Sequence, residues 1–303
     1  MAFIKNIKSI LSLVVLFLIA QYNLIAQGFV ENLGQWEEPF YFKSSGPASQ
    51  LFIEKNAILF HAWDGETWSE FLEAAHDRKP FSGPEKLQHH AYRMKFLGAN
   101  EKSFTEKLYP SVHYLNYFIG NDESRWKSGV REYEELIIRE LYVGIDLRIK
   151  KHGHNIKYDL IVKPGADVKK IRWKYEGIQS LALKEGNLEL ETSLGKAVEL
   201  KPFAFQESDG GKKEIRCVYK IKKSEISFEL PEGYDSSREL VIDPVLIFSS
   251  FTGATSDNWG YTATYDNQGN GYAGGIAFGF GYPLSAGAFS NQFWGRKSGH
   301  FGK

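Results

Sequence analysis

Alternation of apolar and charged residues in the middle of the sequence constrains this chain more than any other feature. Residues 145–150 read IDLRIK, and after a polar break at residues 152–155 the alternation resumes over residues 156–162. Period-2 alternation on both sides of a glycine-containing break predicts a β-hairpin with one buried face. The Pro-Gly pair at residues 164–165 ends the second strand, and residues 171–175 begin another, so we expect a three-stranded meander.

Further short strands separated by turn residues follow the same rule. Residues 51–53 and 57–60 flank a polar turn, and residues 181–183 are placed to pair with residues 188–190 across a Glu-Gly-Asn turn. Residues 215–221 are interpreted as one strand. Regular short strands with turn signals predict an all-β fold, an antiparallel β-sandwich-like domain of hairpins and meanders.

Residues 64–84 interrupt this pattern. Apolar periodicity weakens there while charged residues, glycine and proline increase, which favours an exposed excursion. The alternative is a short helix, because Trp68, Phe71, Leu72 and Ala75 recur at helical spacing. Little helix is expected elsewhere.

The first 26 residues have the features of a secretory signal peptide. Lys5 and Lys8 precede an uncharged apolar run at residues 10–20, and Ala26 offers a small residue before the cleavage point. A membrane anchor is the weaker interpretation because that run is shorter than the roughly 20 residues of a spanning helix. We therefore expect an exported protein, secreted or held at the outer surface.

Charge and cysteine content exclude two further classes of protein. The chain carries 37 Lys and Arg residues against 37 Asp and Glu residues, and nucleic-acid readers carry a clear basic excess. Cys217 is the only cysteine, so no intramolecular disulfide can form. Cys217 alternates with Ile215 and Tyr219, which predicts a buried, unreactive thiol on the apolar face of a strand.

The amino-acid composition of the sequence changes after Asp243. Glycine, aromatic and small residues become frequent over residues 244–303, while lysine and glutamate become rare. Residues 261–265 and 271–276 are predicted strands joined by a turn. The resemblance given in the next paragraph implies that residues 244–303 form about one blade of a β-propeller, which needs typically 4 to 8 blades, so the chain is expected to be part of a longer product.

Several motifs carry a resemblance to a known family. They are Glu31-Asn32-Leu33-Gly34-Gln35, Asn116-Tyr117-Phe118, Gly120-Asn121-Asp122, Trp126, Gly129-Val130, Tyr142, Gly144-Ile145-Asp146, Lys157-Tyr158-Asp159, Pro164-Gly165-Ala166-Asp167 and Val241-Ile242-Asp243-Pro244. In these residues the chain resembles the uncharacterised β-rich N-terminal domain that precedes SBBP-type β-propeller repeats in secreted bacterial proteins, and residues 248–275 resemble one such repeat. Many proteins of this kind end in a sorting domain of the gliding-motility, type IX secretion kind. The resemblance implies a signal peptide at residues 1–26, the β-rich domain at residues 27–243 and a partial repeat at residues 244–303, and it brings no reaction with it.

Three groups of side chains are candidates for sites of chemistry. His152 and His154 offer two imidazoles in one turn, but no cysteine or carboxylate cluster lies near in sequence to complete a metal site. Asp146 and Asp159 are candidates for a glycosidase pair, although each shares a strand face with a basic residue, which favours cross-strand ion pairs. Asp257, Asp266 and Asn267 lack the dense spacing of a calcium loop, so turn chemistry is favoured.

Basic residues concentrate in the central region and offer a fourth candidate, a surface for an anionic polysaccharide. A solvated charged face compensated by the acidic residues between 185 and 199 is the favoured interpretation. The members are Arg148, Lys150, Lys151, Lys157, Lys163, Lys169, Lys170, Arg172 and Lys174.

These patterns predict an exported structural or adhesion-type surface protein with no catalytic residue, cofactor or metal in this part of the chain. The expected partner is a polysaccharide or a surface protein, and neither nucleic acid nor a membrane span in the mature chain is expected. One alternative is a carbohydrate-binding module, since seven Trp and sixteen Tyr residues could stack on sugar rings. The other is an accessory domain of an enzyme whose site lies in the propeller.

Limited proteolysis tests the predicted boundary near residue 243. A single blade exposes apolar surface and strand edges that neighbouring blades would cover, so protease should cut first within residues 244–303. A resistant fragment ending near Asp243 is the expected product, identified by mass spectrometry. Degradation of the upstream domain ahead of the tail would contradict the two-part organisation.

Overall fold

The computed structural model describes residues 28–46, 48–76, 78–152, 155–208, 211–244, 246–247, 258–265 and 271–277. These residues fall into two compact units, which are described separately. The first unit comprises the described residues up to Ala62 and from His89 to Ile247, and the second those from Trp63 to Gln88 and beyond residue 248.

The first unit is built from β-strands. Its first nine are β1 (Phe29–Glu31), β2 (Phe40–Ser45), β3 (Ser49–Glu54), β4 (Ala57–Trp63, whose last residue belongs to the second unit), β5 (His89–Phe96), β6 (Phe104–Tyr117), β7 (Lys127–Tyr142), β8 (Ile145–His152) and β9 (Asn155–Val162). The next ten are β10 (Arg172–Glu176), β11 (Ser180–Lys184), β12 (Asn187–Thr192), β13 (Gly195–Glu199), β14 (Phe203–Ser208), β15 (Gly211–Ile215), β16 (Val218–Lys222), β17 (Glu225–Glu229), β18 (Leu240–Asp243) and β19 (Leu246–Ile247). Single 3-10 turns lie at Glu123–Arg125 and Val168–Lys170.

The strands form a large antiparallel sheet and a smaller one. The 15-stranded sheet has the order β15-β14-β18-β9-β8-β7-β1-β2-β3-β4-β5-β10-β17-β16, with β6 paired to β7, and the second sheet has the order β11-β12-β13-β19. The fold is therefore all-β and sandwich-like, as the sequence predicted. Because β19 pairs with β13, the second sheet continues past residue 243, the domain boundary that the sequence predicts.

Local hairpins formed where the sequence predicted them. In the β8–β9 hairpin, Leu147 lies opposite Leu160 and Ile149 lies opposite Tyr158, and these four side chains are buried. The β3–β4 and β11–β12 hairpins also have the predicted partners. The turn residues explain the β11–β12 hairpin, because Glu185 and Gly186 both take positive φ, as a two-residue hairpin turn requires.

The predicted three-stranded meander is wrong in its last strand. After the turn at residues 164–165, Asp167 caps the 3-10 turn Val168–Lys170, and β10 then pairs with β5 and β17 instead of β9. Trp173, at 1% exposure, packs against Phe228 with ring centroids 5.0 Å apart. Apolar partners on distant strands therefore decide the position of β10.

The predicted single strand at residues 215–221 is also wrong, because it is divided between β15 and β16. These two strands are the opposite ends of the large sheet, yet only Arg216 and Cys217 separate them along the chain. Consecutive Cα atoms are 3.80 Å apart, so Ile215 and Val218 lie within about 11 Å of each other. The two ends of the large sheet therefore approach each other at Ile215 and Val218.

In the second unit, the alternative interpretation of residues 64–84 is confirmed: this segment contains a helix and is not an irregular excursion throughout. Helix α1 spans Gly65–His76, and Asp64 caps it by accepting from the amide of Glu66 at 3.1 Å. Phe71 on this helix stacks on Trp68 and meets Phe81 edge-on. No helix in the described part of the chain combines the length and the apolar character needed to cross a membrane.

A two-stranded antiparallel hairpin, β20 (Asn258–Tyr265) and β21 (Gly271–Ala277), is also found in the second unit. Its strands agree with the two predicted for this region. The residues on either side of it lie outside the described residues, so the propeller repeat stays a prediction.

Replacement of Trp173 tests the packing of the core. Trp173→Ala should lower the free energy of unfolding by about 3 to 5 kcal/mol, because it leaves a cavity between Phe228 and Tyr219. Chemical denaturation of the purified protein measures this loss. Val112→Ala, at a side chain that is 84% exposed, is the control and should change it by less than about 0.5 kcal/mol. Equal midpoints for the two variants would contradict the packing described here.

Candidate functional site

The loop between β1 and β2 is held in shape by its own side chains. Asn32 donates from Nδ2 to the carbonyl oxygens of Trp36 at 3.3 Å and Phe40 at 3.1 Å. The buried Gln35 donates to the carbonyl of Glu31 at 2.6 Å. Asn and Gln side chains that bond to nearby backbone replace strand pairing with a defined turn. The loop is therefore preorganised.

The connection between β6 and β7 is organised in a similar way. Asp122 caps the 3-10 turn by accepting from the hydroxyl of Ser124 at 2.7 Å and from its amide at 3.1 Å, and these bonds lower the pKa of Asp122. Trp126 donates from its indole nitrogen to the carbonyl of Gly120 at 3.3 Å and meets the ring of Phe118 edge-on. Both aromatic rings are thereby fixed in orientation.

These two loops lie side by side. The ring of Trp36 meets that of Tyr117 at a centroid distance of 4.9 Å, and Glu37 forms an ion pair with Arg125. Lys43 lies 4.4 Å above the ring of Trp36, in a cation–π contact. The structure thus brings together two of the motifs that carry the family resemblance, which are more than 80 positions apart in sequence.

The joined loops present apolar side chains to solvent. Leu33 is 49%, Phe118 61%, Ile119 50% and Trp126 39% exposed. We call these four residues the apical surface. Scattered exposed apolar residues are ordinary, but neighbouring ones on rigid loops are typical of a contact site.

Strand β6 continues the exposed aromatic character away from the apical surface. Among the described strands it pairs only with β7, so it is an edge strand, and Tyr109 and Tyr114 project from it into solvent. Its register shifts between Pro110 and Tyr114, where Arg131 donates to the carbonyl of Ser111 at 2.8 Å. A bulge and a proline protect an edge against unspecific pairing, which leaves side chains as its means of contact.

The two carboxylates considered as a glycosidase pair each have cationic partners. Asp146 accepts from Arg139 at 2.8 Å and lies 3.0 Å from Lys163. Although burial acts to raise it, the pKa of Asp146 is lowered by the amide of Glu140 and by these two cations. Asp159 pairs with Arg148, directly opposite on β8, at 2.6 Å. The predicted cross-strand ion pairs are therefore present.

The basic residues of the central region are compensated, but not by the acidic stretch that the sequence suggested. Lys157 pairs with Asp243 at 2.5 Å, and Lys174 pairs with Glu176 at 2.8 Å. The expectation that residues 185–199 supply the compensating acid is wrong, because acidic residues on the same or on a neighbouring strand do so. Lys169 and Lys170 differ, since neither forms an ion pair within the described residues.

The histidine candidates are only partly described. The side chain of His152, together with His154, Asp257, Asp266 and Asn267, lies outside the described residues. Within the residues that the structure describes, no group of three or more His, Cys, Asp or Glu side chains is arranged to hold a metal ion. His89 contacts His61 at 3.2 Å and His90 contacts Ser193 at 2.9 Å, so this adjacent pair points in different directions.

Cys217 is buried, as predicted, although it lies between β15 and β16 and not within a strand. Burial raises the pKa of its thiol to about 12. The reactive thiolate is therefore scarce at neutral pH.

Sequence reasoning missed a buried carboxylate surrounded by tyrosines. Glu199, on the smaller sheet, accepts hydrogen bonds from the hydroxyls of Tyr158 and, at 2.7 Å, Tyr175, both on the large sheet. Burial raises the pKa of Glu199, and hydrogen bonds from Tyr158, Tyr175 and Tyr219 oppose that shift. The cross-strand register places Glu199 opposite Leu188, on the buried face of the smaller sheet. Nothing in the sequence pattern around Glu199 indicates that pairing.

The described residues define an all-β, sandwich-like domain with a preorganised pair of apical loops. The family described as "Domain of unknown function (DUF7948)" matches residues 29–245. The chain belongs to this family. No curated protein and no solved structure matches the chain.

The buried carboxylate makes stability depend on pH in a defined direction. Because the pKa of Glu199 is raised in the folded state, folding takes up a proton once the pH exceeds the ordinary value of 4.5. The stability that the folded state gains by holding this proton is fully present below pH 4.5, and it is lost as the pH rises through the folded-state pKa of Glu199. Denaturation midpoints of the protein and of Glu199→Gln should therefore converge or cross as the pH rises, because the variant lacks this loss.

Burial also raises the pKa of Asp243, so Asp243 adds its own pH dependence to the stability. Because the protein and the Glu199→Gln variant share Asp243, the difference between their stabilities cancels this effect. Denaturation curves measured at intervals from pH 4.5 upward give the difference directly. Parallel pH profiles for the two proteins would contradict a proton held at Glu199.

Proposed function

We propose that this protein is an exported, non-catalytic surface protein of structural or adhesion type, and that its apical surface makes the contact with a partner. The observation that carries the proposal is the exposure of Phe118, Ile119, Trp126 and Leu33 on two loops that side-chain hydrogen bonds and an ion pair hold rigid. Preorganised apolar groups bind with a small entropic cost, since little ordering is left for the moment of contact.

Aromatic anchors of this kind dominate binding surfaces. Trp and Tyr are enriched among the residues that contribute most to protein contacts. Charged residues are weaker candidates for the contact with a partner. Those on β8 and β9 that have a described side chain already form ion pairs within the protein. The apical surface is thus the best supported contact region among the described residues.

Carbohydrate binding is the second candidate, and a separate observation favours it. Tyr109 and Tyr114 on β6 continue the exposed aromatic rings of Phe118 and Trp126 along one hairpin. Flat rings exposed in a row can stack on successive sugar units of a chain, because their faces attract the C–H groups of the sugar. A protein partner needs only the apical surface, whereas a glycan chain would also use β6.

We also propose that residues 1–26 direct export and that residues 244–303 form a repeat similar to an SBBP-type propeller blade. The basic-apolar-small order of the leader supports export. The β20–β21 hairpin supports the repeat, because blades are built from antiparallel strands. The type IX secretion context follows only from the family resemblance.

A matched pair of phenylalanines provides the test. Phe118 is 61% exposed on the apical surface, and Phe104 is 62% exposed at the far end of the same hairpin. The chain from residue 27, labelled and applied to a glycan array and to cell-surface protein fractions, should bind, and Phe118→Ser should weaken that binding about tenfold, the loss of one aromatic anchor. Phe104→Ser should leave it unchanged.

The two candidates separate in the same experiment. Binding to glycans that is lost in both Phe118→Ser and Tyr114→Ser indicates a carbohydrate module, whereas binding to protein that is lost only in Phe118→Ser indicates adhesion through the apical surface. Equal binding by all variants, or no binding at all, would contradict both candidates.

A further inference from the structure

A pocket of about 340 Å³ lies in the first unit, away from the apical loops. Its wall comes from three segments: the turn after β5 with Gly98 and Asn100, the β7–β8 turn with Tyr142, and the start of β10 with Lys170 and Arg172. Leu97 and Val143 add apolar surface. The volume lies within the range of small-ligand sites, roughly 300 to 1,000 Å³.

Hydrogen bonds tie the three segments to one another. The amide of Leu97 and the hydroxyl of Tyr142 both donate to the carbonyl of Arg172 at 2.7 Å, and the amide of Asn100 donates to the carbonyl of Leu141 at 2.7 Å. Gly98 takes a φ of +68°, which lets the chain turn sharply beside Arg172. The pocket is therefore a fixed feature of the fold.

The pocket carries uncompensated positive charge. Lys170 forms no ion pair within the described residues, and its neighbour Lys169 adds a second charge outside the pocket. Within the described part of the chain, the guanidinium of Arg172 forms an ion pair only with Glu225, at 3.4 Å, and solvent screens this pair because both side chains are about half exposed. Glu140 and Glu101 are occupied by Lys163 and Lys55. Asp167, which caps the 3-10 turn that ends at Lys170, accepts from the amide of Lys169 at 3.0 Å and forms no ion pair with Lys170 within the described residues.

The remaining polar groups also suit an anion. Burial raises the pKa of Tyr142 to about 12, so its phenol stays neutral and does not repel negative charge. The side-chain oxygen of Asn100 accepts from the amide of Lys102 at 3.0 Å, and no partner of its Nδ2 is found among the described residues. The pocket thus offers donors from a guanidinium, an ammonium and an amide.

We propose that this pocket binds the carboxylate of an acidic monosaccharide unit, of the uronic acid type. A guanidinium matches a carboxylate in plane and in spacing, and an ammonium adds a point charge. Leu97 and Val143 provide apolar contacts for the C–H face of a sugar ring, which a bare inorganic anion would not use. This site is separate from the apical surface and does not depend on it.

Neighbouring lysines give a matched test. Lys169→Ala and Lys170→Ala remove the same charge one position apart, and only Lys170 lines the pocket. Binding of D-glucuronate to the chain from residue 27, followed by NMR shifts of backbone amides around residues 97–100, should saturate in the millimolar range. Lys170→Ala and Arg172→Gln should each weaken it about tenfold, as loss of a charge-assisted bond does, while Lys169→Ala should not.

Further probes separate the sugar from its charge. D-glucose should not bind, and inorganic sulfate should bind more weakly than glucuronate because it lacks the ring. Equal weakening of glucuronate binding by Lys169→Ala and Lys170→Ala would mean that the sugar is held by diffuse charge attraction, and it would overturn the proposal. Sulfate that binds as tightly as glucuronate would also overturn it, and so would the absence of glucuronate binding. Phe118→Ser should leave glucuronate binding unchanged. The proposal for the pocket and the proposal for the apical surface can therefore be refuted independently of each other.

Discussion

The hydrogen bonds from Tyr158 and Tyr175 to Glu199 are the contact on which the two-layer arrangement depends. Glu199 lies at the end of β13 in the smaller sheet, and the two tyrosines lie on β9 and β10 of the large sheet. A buried carboxyl group without partners would cost several kcal/mol, so the sheets must meet where both hydroxyls reach it. Apolar packing alone permits sliding, whereas these directed bonds define one alignment.

Partners on distant strands, apolar and polar, explain why β10 leaves the predicted meander. Tyr175 on β10 bonds to Glu199 of the smaller sheet, and Trp173 on the same face fills the space between Phe228 and Tyr219. The short link at residues 216–217 brings the ends of the large sheet together. Strands that are far apart in the order of the sheet therefore contribute to one core, and a link of two residues is enough to join two of them.

Sequence patterns predicted the features whose causes lie within a few residues. Alternation and turn residues are local, so the β8–β9 and β11–β12 hairpins and their registers were predictable. The partners of β10, the division at Cys217 and the environment of Glu199 depend on contacts between distant strands, which a single sequence does not encode visibly. Within the candidate site, both motifs were recognisable, but only folding places the ring of Trp36 against that of Tyr117.

Electrostatics decides where on this nearly neutral chain a ligand can bind. Asp146, Asp159 and Asp243 draw the nearby Arg and Lys side chains into short ion pairs on the outer face of β7, β8, β9 and β18, so an incoming anion would have to break them. Breaking a pair around a carboxylate that is almost fully covered leaves that charge unpaired, at a cost of about 3 to 5 kcal/mol. That face is consequently closed to anions, which is why the two proposals rest on the exposed apolar groups of the loops and on Lys170, a cation that forms no ion pair within the described residues.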